Sequence, residues 1–206
     1  MLAGGRSSRM GHDKALLQFA GQPLVEHALC VLREARLSAA VAGARSSLAG
    51  FAPVVQDGVP GRGPLGGICA ALASTSAHWA VFLPVDLPLL PASLVAFLLY
   101  HALVTRSAVT VAAASGFAQT FPAVLHRSTL PALEAELAAG RGGCYAAFQA
   151  AALRAGEKIS IVAVESLVQA GQIAHPDALP AALWFLNVNT AQDLLRAERY
   201  RAAGIA

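Results

Sequence analysis

Apolar positions recur along this chain in two alternating rhythms. Short apolar or β-rich runs at 39–43, 53–56, 79–85, 108–113, 121–125 and 159–164 read as strands. Between them lie longer stretches that read as helices, at 23–36, 68–75, 91–104, 130–139 and 144–154. In the first of these, Leu24, Ala28, Val31, Leu32 and Ala35 share one stripe, and Pro23 suits the opening turn. Strands that alternate with helices predict an α/β fold in three layers, a mostly parallel central sheet with helices on both faces. No internal repeat and no linker interrupts the pattern, so residues 1–206 read as a single domain.

Two stretches test that reading. Residues 87–104 carry no charge and approach the length of a membrane span. Pro88 and Pro91 forbid a continuous helix from the start of that run, and Ser93 suits a helix N-terminus, so a buried helix of ordinary length is expected there. The opening strand has only Met1, Leu2 and Ala3 to draw on, against about five residues for an ordinary strand. The expectation is therefore that the natural first strand begins before Met1.

Composition narrows the classes. Apolar residues make up 56% and charged residues 13% of the chain, which excludes disorder. The formal net charge of +3 suits an anionic ligand, but no lysine- or arginine-rich run points to nucleic acid. The three cysteines, Cys30, Cys69 and Cys144, are far apart and form no Cys-x-x-Cys, which argues against a zinc site and for a reducing cytoplasm. No signal-peptide profile opens the chain.

Candidate chemistry concentrates at Leu2-Ala3-Gly4-Gly5-Arg6-Ser7-Ser8-Arg9-Met10-Gly11-His12-Asp13-Lys14. Glycines let backbone N–H groups approach an oxyanion, hydroxyls and guanidiniums add donors, and a lysine adds a point charge. The loop is not a Walker A loop, because His12 and Asp13 separate Gly11 from Lys14, and it lacks the dinucleotide spacing. A second loop, Gly61-x-Gly63-x-x-Gly66, meets that spacing formally. It lies several residues past its strand, however, and Pro64 removes an N–H, so NAD binding is disfavoured. Asp86 closes the apolar run at 79–85, and an acid at the carboxyl end of a parallel strand points into the crevice where such sheets bind ligands.

The order Leu-Ala-Gly-Gly, Ser-x-Arg-Met-Gly, x-Asp-Lys, then Gly21-Gln22-Pro23-Leu24, resembles the nucleotidyltransferase superfamily, which moves NMP from an NTP onto a phosphate. Within it the chain is most similar to the molybdenum cofactor guanylyltransferases. Gly63-Pro64-Leu65 after Asp57, Pro84-Val85-Asp86-Leu87-Pro88, and Asn187-Val188-Asn189-Thr190-x-x-Asp193-Leu194 carry the likeness further. The resemblance implies a Rossmann-like nucleotidyltransferase fold and transfer of GMP from GTP to molybdenum-bound molybdopterin, with Mg2+ on Asp86. It implies that Leu2, Ala3, Gly4, Gly5, Arg6 and Lys14 hold the phosphates, that Arg9, Lys14 and Asp86 are catalytic, and that Asp57, Gly63, Pro64 and Leu65 pack against nucleobase and ribose. Asn187 and Asn189 fall on the pterin side. Molybdoenzyme chaperones or molybdopterin-synthesis proteins are the further partners it suggests, with no nucleic acid and no membrane.

Other readings of the residues stay open. A cytidylyltransferase or sugar-phosphate nucleotidyltransferase of the same fold would use another base or acceptor, and a non-catalytic nucleotide-binding regulator would keep the loop without needing Asp86. The chain departs from the family at Phe121-Pro122, where many relatives have His-Pro, and at Ala42-Gly43-Ala44-Arg45, where relatives often carry an asparagine. Thr190 and Asp193 resemble a helix capping box, and Arg141 reads as an exposed loop arginine or, less simply, a contact to an anionic acceptor.

Overall fold

The computed structural model describes residues 1–3, 13–43, 46–57, 62–141 and 143–204. Its elements, in chain order, are β1 (Gln18–Phe19), β2 (Gln22–Pro23), α1 (Leu24–Glu34), β3 (Val41–Ala42), β4 (Val54–Val55), α2 (Gly63–Ser74), β5 (Trp79–Phe82), α3 (Ala92–Thr105), β6 (Val109–Ala114), β7 (Phe117–His126), α4 (Leu130–Ala138), α5 (Cys144–Arg154), β8 (Ser160–Ala163), α6 (Val164–Gln169), α7 (Ala181–Trp184) and α8 (Ala191–Gly204).

The central sheet is assembled from two pieces by the first residues of the chain. β3 pairs in parallel with β4, and β5, β7, β6 and β8 form a four-stranded sheet in that order. Leu2 lies between the two, making parallel bridges to Ala42 on one side and Pro84 on the other. Its N–H donates to Leu83 O at 2.7 Å, and its carbonyl accepts from Val85 at 3.2 Å. The neighbouring Met1 carbonyl accepts from Ala42 at 2.8 Å, while Ala3 N–H donates to Ala42 O at 3.2 Å. The run of strands is thus β4, β3, residues 1–3, β5, β7, β6, β8.

Every strand in that series is parallel to the others except β7, which runs antiparallel to both β5 and β6. The sheet is therefore mixed, and the short strand expected at 121–125 is the second half of a longer one. The reason is a two-residue turn: Ser115 and Gly116 have φ of 52° and 79°, the left-handed pair that closes a tight hairpin between β6 and β7. A Ser-Gly pair between two β-rich runs is the signal for it. The same geometry at Ala20 and Gly21 closes the small β1–β2 hairpin.

Side chains alternate across the sheet into two apolar layers. α1 and α3 cover one face with Leu24, Val25, Leu29, Leu94 and Leu98 around Ala112 and Val124. α2, α4 and α5 cover the other with Ile68, Leu72, Leu133 and Phe148 around Val109, Val111, Ala123 and Leu125. Val31 and Ala35, expected on the buried stripe of α1, only border it, and Val25 and Leu29 take the interior instead. The uncharged run at 87–104 resolves into a tight turn and α3, a helix of 14 residues. Among the described residues no helix is long and apolar enough to cross a membrane.

Phe148 is fully buried and meets Phe121 edge-on, with ring centroids 6.0 Å apart. Phe148→Ala should cost about 3–5 kcal/mol of folding stability in urea denaturation. A loss under about 1 kcal/mol would mean that the α5 layer repacks freely.

Candidate active site

The carboxyl end of the sheet gathers residues that are far apart in sequence. Asp86 stands two residues past the Leu2–Pro84 bridge, where the chain has left β5 and begins to turn. Lys14 opens a single 3-10 turn, Lys14–Leu16, whose cap is the Asp13 carboxylate accepting from Ala15 N–H at 3.1 Å. The Lys14 ammonium donates to Asp86 Oδ2 at 2.8 Å and to Asn189 Oδ1 at 2.8 Å. With side chains 20% and 22% exposed, the Lys14–Asp86 pair is neither dry nor fully screened by water. An ion pair that is partly exposed can exchange partners with an incoming polyanion or cation.

Asn189 arrives from the other end of the chain through two backbone locks. Val188 is fully buried, and its N–H donates to Asp86 O at 2.9 Å, which splices the C-terminal segment onto the strand end. The next lock is the start of α8. Asp193 Oδ2 accepts from Asn189 N–H at 3.0 Å, Thr190 N–H at 2.8 Å and Thr190 Oγ1 at 2.9 Å, and Thr190 Oγ1 accepts from Asp193 N–H at 3.1 Å. The Thr190 hydroxyl, then the Asn189 N–H, hold the Asp193 carboxyl below the usual carboxylate range. The capping box read in the sequence is present, and it fixes the backbone of Asn189 as well as starting the helix. Asn187 is exposed, and its amide makes one long 3.5 Å contact to Phe185 O.

A second group lines the other flank. Asp57 follows β4 and lays its carboxylate over the glycines of α2: a Cβ on Gly67 would stand 3.3 Å from Asp57 Oδ1 and 3.5 Å from Ala42 Cβ. Gly67 is therefore a close-approach position. Asp57 Oδ1 is itself buried and has no hydrogen-bond partner, although the residue as a whole is half-exposed. Burial raises the carboxyl above its ordinary pKa. α2 begins at Gly63, earlier than the sequence pattern places it, so the exposed Gly63 and Pro64 form its first turn. Leu65, expected from the resemblance to pack against nucleobase and ribose, is fully buried in the apolar layer beneath α2. Leu2 and Ala3 are likewise buried, with backbone groups spent on the sheet. Gly4, Gly5, Arg6 and Arg9 lie outside the described residues.

Two features escaped the sequence reading. Arg62 Nη1 donates to Leu137 O at 2.8 Å, which ties the start of α2 to the end of α4. Arg141, in the α4–α5 loop, is exposed as expected but clamped: its Nε and Nη2 reach Glu136 Oε2 and Oε1 at 2.6 and 3.0 Å. No periodicity marks either contact. Among the described residues no three His, Cys, Asp or Glu side chains gather into a metal cluster.

Comparison with known proteins sets this geometry in context. Residues 1–156 match the family model described as "MobA-like NTP transferase domain". The chain is 48% identical over 101 residues to the molybdenum cofactor guanylyltransferase of Xanthomonas euvesicatoria, a match spanning 48% of this chain and 51%, about half, of that protein. It is 36% identical over 203 residues to the molybdenum cofactor guanylyltransferase of Serratia proteamaculans, covering 95% and 91% of the two chains. Of the solved structures, molybdopterin-guanine dinucleotide biosynthesis protein A from Archaeoglobus fulgidus superposes with a TM-score of 0.75 at 20% identity, over 98% and 97% of the chains, which shows the shared fold. A Mycobacterium tuberculosis protein of that fold, solved as a complex with manganese, superposes with a TM-score of 0.61 at 17% identity, over 96% and 95% of the chains.

The orphaned Asp57 carries a pH signature. Burial disfavours its charged form, so its folded pKa lies above the unfolded value of about 4. The stability tied to this group is present below that value and is lost as pH rises through the raised folded pKa. Asp57→Asn should therefore melt higher than the native chain at pH 7, with the two converging near pH 3. A lower melting temperature for the variant at pH 7 would show that the ionised carboxylate is stabilising.

Proposed function

Because this chain belongs to the family of MobA-like NTP transferase domains, we propose that it transfers GMP from GTP to the terminal phosphate of molybdenum-loaded molybdopterin and releases pyrophosphate. The observation that carries the reading is the meeting of Lys14 with Asp86 and Asn189 at the carboxyl end of the sheet. The acceptor and base follow the Serratia proteamaculans guanylyltransferase, which is 36% identical over nearly the whole chain. The single domain over 1–206 is supported by the apolar layer that holds both Met1 and Ala197, and by the Lys14–Asn189 contact. Three free thiols, Cys30, Cys69 and Cys144, support a reducing cytoplasm as the compartment.

In this reaction an oxygen of the acceptor phosphate forms a bond to the α-phosphorus of GTP. The bond from that phosphorus to the α–β bridging oxygen breaks, and pyrophosphate leaves with the electron pair. The nucleophile is already anionic, so no general base is required, and the barrier is the approach of two polyanions. Lys14, helped by Arg9 and the N–H groups of Gly4, Gly5 and Arg6, neutralises the triphosphate. Asp57 Oδ1, buried and unpartnered, lies against Gly67 of α2 and offers an acceptor to a donor on the nucleoside, with Gly63, Pro64 and the backbone of Leu65 in the turn before it. Asn187 is exposed, and its amide would donate to or accept from the acceptor.

A magnesium ion fits the donor set. Asp86 is a carboxylate that already receives a cationic group, and oxygen is the ligand that hard divalent cations take, with phosphate oxygens completing the shell. When bound through Asp86, such an ion neutralises phosphate charge and orients the nucleotide.

Pyrophosphate release from GTP in the presence of molybdenum-loaded molybdopterin tests the proposal, with CTP, ATP and UTP as competitors. GTP should be used in strong preference, and Asp86→Asn should lower turnover by about a thousandfold or more at millimolar magnesium. Near-normal turnover in that variant, or equal use of another nucleotide, would overturn it.

A further inference from the structure

Lys14 holds two acceptors at once, and the second one has no part in the reaction so far. Its ammonium is shared between Asp86 Oδ2 and Asn189 Oδ1, both at 2.8 Å. Asp86 Oδ2, facing an ammonium at hydrogen-bond distance, is closed to a metal ion, and a cation approaching the other oxygen of the same carboxylate is still repelled by that ammonium. Asn189 reinforces the occupied arrangement. Its backbone is fixed by the Val188 N–H to Asp86 O bond on one side and by Asp193 on the other, so its side-chain oxygen is aimed rather than floating.

We infer that Asn189 is a positioning residue that keeps the Lys14 ammonium on Asp86 in the nucleotide-free protein, so that the metal ion settles only once a triphosphate draws Lys14 away. The inference rests on the nucleotidyl-transfer reading. It gives Asn189 a task on the nucleotide side of the crevice, in place of the pterin side implied by family resemblance. Without nucleotide, Lys14 neutralises the carboxylate. When the triphosphate enters, its oxygens outcharge those of Asp86 and Asn189 around the ammonium, Lys14 changes partners, and Asp86 is freed while phosphate ligands are at hand. The protein thereby avoids holding a metal ion with nothing to act on.

Manganese binding to the nucleotide-free full chain, followed by electron paramagnetic resonance of the free ion, tests this without any turnover. Asn189→Ala removes one neutral acceptor from the ammonium, so Mn2+ should bind about three- to tenfold tighter than to the native chain. Asn189→Leu, which keeps the side-chain volume, should do the same. Lys14→Met removes the competing charge and should tighten binding further, by roughly tenfold or more, while Asp86→Asn should abolish it. Adding GTP should tighten Mn2+ binding to the native chain and narrow its gap from Asn189→Ala. Unchanged binding in both Asn189 variants would show that the amide does not hold Lys14, and weaker binding would make Asn189 itself a metal ligand. Either result overturns the inference. Failure of the native chain to bind GTP would instead count against the nucleotidyl-transfer reading, and the comparison made without nucleotide would still stand.

Discussion

The hydrogen bonds that the first three residues make on both sides are the constraint on which this structure turns. Without them the β3–β4 pair and the four-stranded sheet are separate ladders. With them, Ala42 and Pro84 are set on either side of one residue, Leu2. Any loop leaving Ala3 must then start between the ends of two parallel strands, the location where sheets of this class bind ligands. Asp86 follows Pro84 by two residues, so the same insertion that closes the sheet also decides where its acid emerges. Function is coupled to folding here through backbone pairing more than through side-chain packing.

Buried polar groups among the described residues are mostly satisfied within the fold. Glu136 and Arg141 satisfy each other in a bidentate pair, and Trp184 donates its indole N–H to Leu179 O at 2.8 Å. Asp57, in contrast, keeps a buried oxygen with no donor. Native folds leave few such groups, because each forfeits the hydrogen bond that water would have given it. Thr110 Oγ1 in β6 is another, but Asp57 differs in falling beside the tight contact of Gly67 with β3, where the backbone has been thinned to make room.

Much of this was legible in the sequence, and what was not had a physical reason. α5 begins and ends where its pattern places it, and α3 and α4 agree within a residue or so, because apolar periodicity is a direct consequence of burying one face. The reversal of β7 was missed because direction is set by the left-handed Ser115–Gly116 turn, two residues whose conformation leaves no trace in hydrophobicity. Family order singled out Lys14, Asp86 and Asn189. That they share one ammonium is a fact of three-dimensional placement across 175 residues of chain, which spacing alone does not encode. The burial of Leu65 in the apolar layer beneath α2 is likewise a matter of placement that its motif position does not encode.

The reversed strand has a further effect on the architecture. In a sheet of uniformly parallel strands every helix descends from the crevice end and every strand climbs back, so only strand-to-helix loops reach the ligand. Since β7 finishes at the far end, α4 ascends and α5 descends, and the tip of that helical pair is delivered to the mouth of the crevice, where Arg62 reaches it through Leu137 O. That tip belongs to no strand, so lengthening, shortening or recolouring it leaves every pairing register in the sheet untouched. The end of the sheet where Asp86 emerges thus has a wall that can change while the strand pairings beneath it stay as they are.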